Sequence, residues 1–124
     1  NVVIASPKLI KENPGAIKAF LLAFTKGAKD VIANPKAAID AVKARDGIIN
    51  VELEQRRLQL AIDTVINSAD ARGEGFGQVK GPRLSLMASQ VSDAFATKTR
   101  VNADAVWNGS FLPSAAELNI LPKK

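Results

Sequence analysis

The chain contains no histidine, no cysteine and no tyrosine. Without histidine it lacks the most common general base, the most common zinc ligand and the side chain whose charge changes near neutral pH. Without cysteine it has no disulfide and no thiolate chemistry. The sequence therefore offers no catalytic residue, no metal ligand set and no cofactor motif, which favours a binding protein over an enzyme.

Aromatic residues are also scarce, at 5%, whereas hydrophobic residues make up 47% of the 124 positions. This composition supports one domain-sized core built from aliphatic side chains, and no run approaches the ~20 apolar residues of a membrane span. The net charge is +5, from 17 basic and 12 acidic residues. Because both signs occur along the whole chain, we expect a solvated surface and no nucleic-acid stripe.

Three dipeptides that mark helix starts lie in the first 35 residues: Ser6-Pro7, Asn13-Pro14 and Asn34-Pro35. The polar side chain of each can accept a hydrogen bond from a free N–H at a helix start. The proline fits the first helical position, where its missing N–H costs nothing. The spacing predicts a short helix from Pro7, a long one from Pro14 and a third from Pro35.

Together with the other sequence signals, these starts predict a mostly α-helical chain of about five helices with one short N-terminal strand. Residues 2–5 are a β-branched run and predict the strand, so that the chain begins inside or just before a strand. The alternative for these residues is a disordered terminus. Gly47 is a candidate left-handed stop for the third helix, and Asn50 is a candidate cap for a helix over residues 51–67. A later helix opens at Pro82, and its apolar residues recur at helical spacing: Leu84, Met87, Ala88, Val91, Ala94 and Phe95.

Residues 68–81 are rich in glycine and predict an ordered loop between helices. A dinucleotide-binding fingerprint needs a preceding strand and a helix that opens at its end, and neither is expected here. The loop is therefore interpreted as a tight interhelical connection, and the alternative is a loop that faces a ligand. On that alternative, Gly75, Phe76 and Gly77 are the candidate substrate-binding residues.

Two groups of charged residues could suggest acid–base catalysis or nucleic-acid binding, but their positions in the sequence disfavour both functions. Glu52 and Glu54 are two residues apart on a helix, so they do not face each other as an acid–base pair would. Lys18, Lys26 and Lys29 have no interleaved aromatic residues on which bases could stack. We interpret both groups as the solvent-exposed faces of amphipathic helices.

Several segments, taken in order, resemble the C-terminal part of a known family. The family is that of the periplasmic solute-binding proteins of ABC importers of the nitrate, sulfonate and taurine type. The binders of thiamine-pyrimidine precursors are its relatives. The resemblance is carried by residues 2–14, by the long segment 16–30, by the second start at residues 34–39 and by later turns and closing segments: Gly75-Phe76-Gly77, Pro82-Arg83-Leu84, Phe95, Ala103-Asp104-Ala105-Val106 and Phe111-Leu112-Pro113.

The resemblance implies that residues 1–124 are a single C-terminal fragment of an α/β, two-lobed periplasmic protein. Such a protein binds a small solute by closure of its lobes and delivers it to a membrane permease, without catalysis and without a cofactor. It is not membrane-spanning and does not bind nucleic acid. The apolar faces left uncovered in the fragment invite pairing into a homodimer.

The alternative interpretation is a helical interaction module that binds a protein or a nucleic acid through its basic helices. Nucleic-acid binding would weaken steeply with salt, whereas capture of a small solute in a closed site would not.

Overall fold

The computed structural model describes residues 2–122, which form helices and connecting turns without any β-strand. Four helices come first: α1 (Pro7–Glu12), α2 (Pro14–Ala33), α3 (Pro35–Arg45) and α4 (Val51–Ala61), the last continued by a π-helical turn, Ile62–Ile66. They are followed by α5 (Ala69–Glu74), α6 (Gly81–Ala94), α7 (Ala103–Val106), a 3₁₀ turn (Gly109–Phe111) and α8 (Ala115–Leu118). The predicted mostly α-helical class is confirmed, and the described residues hold more helices than the expected five because several are only one or two turns long.

The three helix starts form as the sequence predicts. Ser6, Asn13 and Asn34 each accept a hydrogen bond from the backbone N–H three residues later, at 3.1 Å in every case. Asn13 and Asn34 also donate their own backbone N–H to the preceding helix, so that each closes one helix and opens the next. Because each asparagine bonds to the helix before it and to the helix after it, the two residues fix the sharp turns between α1, α2 and α3.

The N-terminal strand is a prediction that the structure corrects. Residues 2–5 have no regular secondary structure and no strand pairing, and Val2, Val3 and Ile4 are exposed. The physical reason is that a strand needs a partner for its N–H and C=O groups, and residues 2–122 supply none.

Two turn predictions were also wrong. Gly47 is not left-handed, because Asp46 closes α3 by donating its N–H to the carbonyl of Val42 at 2.8 Å. The Lys43 ammonium then ties the turn by donating to the carbonyls of Gly47 and Ile49. Residues 68–81 are not loop throughout, since they contain α5, whose first turn is capped by the Ser68 side chain.

Packing centres on α2, which contacts α1, α3, α8 and the 3₁₀ turn, while α3 and α4 pair with each other. Helix α6 packs chiefly against the short α7. Among the described residues the buried apolar side chains are few, and half of them come from the C-terminal segment: Ile17, Ile39, Ile62, Leu118, Ile120 and Leu121. A core this small leaves several helices with apolar faces that no other part of the described chain covers.

Candidate functional site

The candidate substrate-binding loop, Gly75-Phe76-Gly77, connects α5 to the segment that leads into α6. Gly75 has a φ of +101° and Gly77 a φ of +83°, backbone conformations that side-chain-bearing residues rarely adopt. The glycines therefore allow the chain to reverse within three residues, and Phe76 lies at the tip of that reversal.

The loop is held against the C-terminal segment by close backbone contact. The N–H of Phe76 donates to the carbonyl of Leu118 at 2.9 Å. A Cβ atom built on Gly75 would lie only 2.8 Å from the Cβ of Leu118, so no larger residue fits there without a shift. Since Leu118 is almost completely buried, Gly75 has a packing role that is independent of any ligand.

Phe76 also completes a row of three aromatic rings on the surface of α2. The ring centroids of Phe20 and Phe24 are 6.3 Å apart, those of Phe24 and Phe76 are 6.4 Å apart, and both pairs are stacked. Phe20 and Phe24 are each about half exposed. Phe20 and Phe24 follow Ile17 at spacings of three and four residues and share its side of α2, but Ile17 is buried whereas the two rings stand at the exposed edge of that face.

Ion pairs fix the two ends of the loop. The Lys80 ammonium lies 2.7 Å from the Glu74 carboxylate, and this hydrogen bond, together with the attraction between the two charges, raises the pKa of Lys80. Arg83 at the start of α6 pairs with Asp70 in α5. Both cations therefore join α5 to α6, and the loop itself presents apolar and backbone groups.

The other charged residues singled out by sequence are surface pairs or solvated groups. Glu52 lies 3.9 Å from Arg56, and Glu54 lies 2.7 Å from Arg57. Each carboxylate therefore pairs with an arginine on its own helix. Lys18, Lys26 and Lys29 are exposed on α2.

Two shallow, open grooves lie away from the glycine loop. One runs between α3 and α4 and is lined mainly by charged and amide side chains: Pro35, Lys36, Glu52, Gln55, Arg56 and Gln59. The other lies between α6 and the turn into α7, with Arg100 at its edge. The Arg100 guanidinium donates hydrogen bonds to the side chains of Ser89 and Asp93, so it is already engaged within the chain.

Within residues 2–122, no helix is long and apolar enough to cross a membrane. The same residues hold no cluster of three or more histidine, cysteine, aspartate or glutamate side chains placed to bind a metal ion. The groups that the glycine loop offers for contact with a ligand are the Phe76 ring and backbone N–H and C=O groups.

The first third of the chain matches a known family. Residues 1–38 match the family described as NMT1/THI5 like, and no curated protein and no solved structure matches the chain. The matched stretch contains α1, α2 and the first turn of α3, together with all three capped helix starts. It supports membership of that solute-binding family, and it does not include the loop at Gly75-Phe76-Gly77.

Proposed function

We propose that the chain is the C-terminal segment of the substrate-binding component of an ABC importer. The complete protein would close two lobes around a small solute in the periplasm and deliver the solute to a membrane permease. The observation that carries the proposal is the family match over residues 1–38, which coincides with the three capped starts and the long helix between them.

The amount of exposed apolar surface is consistent with a segment that belongs to a larger assembly. Of residues 2–122, only six large apolar side chains are buried, whereas many others on α2, α4 and α6 are exposed. Contiguous exposed apolar surface of this kind typically marks a protein interface. In the proposed two-lobed protein, part of this surface contacts the remainder of the polypeptide.

The proposed activity is binding without chemistry. Closure of two lobes excludes water from a solute, so that a few polar groups fix its orientation while apolar surfaces supply contact area. Of the three candidate positions in the glycine loop, Phe76 is the one with a ring that a solute could contact. Gly75 faces Leu118, so its role in the proposal is to set the shape of the loop.

A thermal-shift screen tests the proposal. The complete reading frame that encodes this chain is expressed and its melting temperature is measured with nitrate, taurine, alkanesulfonates and aminopyrimidines. A ligand that binds only the folded protein raises the melting temperature, and the rise grows with the logarithm of the ligand concentration once that concentration exceeds the dissociation constant. We expect one solute class to raise it, and salt-sensitive binding of nucleic acid without any solute effect would favour the interaction module instead.

A further inference from the structure

We draw no further inference here: the strongest candidate, the row of aromatic rings that Phe20, Phe24 and Phe76 form on the surface of α2, belongs to the site already described, and nothing in the structure shows what covers its exposed rings.

Discussion

Phe76 and Leu118, 42 positions apart in the sequence, are joined by a backbone hydrogen bond of 2.9 Å. The bond ties the loop after α5 to the last helix of the described chain, and Arg72 reinforces it by donating to the carbonyl of Pro122 at 3.2 Å. The glycine loop is thus a junction between two parts of the fold, whether or not it also contacts a solute.

Replacing Gly75 with alanine should destabilise this junction. The new methyl group would meet the Cβ of Leu118 at 2.8 Å, and the φ of +101° is unfavourable for alanine. We expect a loss of about 2 kcal/mol in the free energy of unfolding, measured by urea titration. Gly73→Ala is the matched control, because nothing lies within 4 Å of its added Cβ, and it should leave stability unchanged or slightly raised.

Replacing Asn34 with alanine should weaken the corner between α2 and α3. The Asn34 side chain accepts the N–H of Ala37 at 3.1 Å, and loss of such a cap costs about 1 kcal/mol. Asn34→Asp keeps an accepting oxygen, so its urea midpoint should remain close to that of the wild type. Equal losses in both variants would contradict the capping role.

The turn after α3 should depend on the Lys43 ammonium. It donates to the carbonyl of Gly47 at 2.6 Å and to that of Ile49 at 3.0 Å. Lys43→Met retains the apolar stem and removes both bonds, with an expected loss of about 1–2 kcal/mol in the free energy of unfolding. Lys36→Met breaks only an exposed pair with Asp40, and it should cost a few tenths of a kcal/mol.

Stability should decline in acid partly through Glu117. Hydrogen bonds from the Ser114 side chain and backbone lower the pKa of this carboxyl in the folded protein. A lowered folded-state pKa means that the contribution is complete above the unfolded-state value of about 4.3 and is lost as the pH falls through the lower folded-state value. Glu117→Gln should remove this part of the acid dependence, so its unfolding midpoint should fall less between pH 5 and pH 3 than that of the wild type. Parallel pH curves would contradict the assignment.

The parts of the fold that sequence alone predicts are those governed by neighbours in the chain. Ser6, Asn13 and Asn34 each act on the N–H three residues later, so their roles follow from local sequence. The short helix α5 also has a local signal in Ser68 and Asp70, which the surrounding glycines obscured. By contrast, a strand at residues 2–5 depends on a partner strand, which local sequence does not reveal.

The candidate site could be predicted only in part, because its geometry is set by distant segments. The glycines predicted a tight connection between helices, and the structure has one at Gly75 and Gly77, where both φ angles are positive. The contact with Leu118 and the stacking of Phe76 on Phe24 join positions far apart in sequence. Phe20 and Phe24 are four residues apart and therefore share a face of α2, but how much of that face is covered depends on tertiary packing.

The measurement that tests solute capture most directly is isothermal titration calorimetry of the complete protein with the solute class selected by the thermal-shift screen. We expect one solute molecule to bind per protein, with an affinity that changes little when salt is raised and with a weaker affinity in Phe76→Ala than in the control Phe95→Ala. A complete, folded protein that binds none of the screened solutes, yet binds nucleic acid with steep salt dependence, would contradict the account.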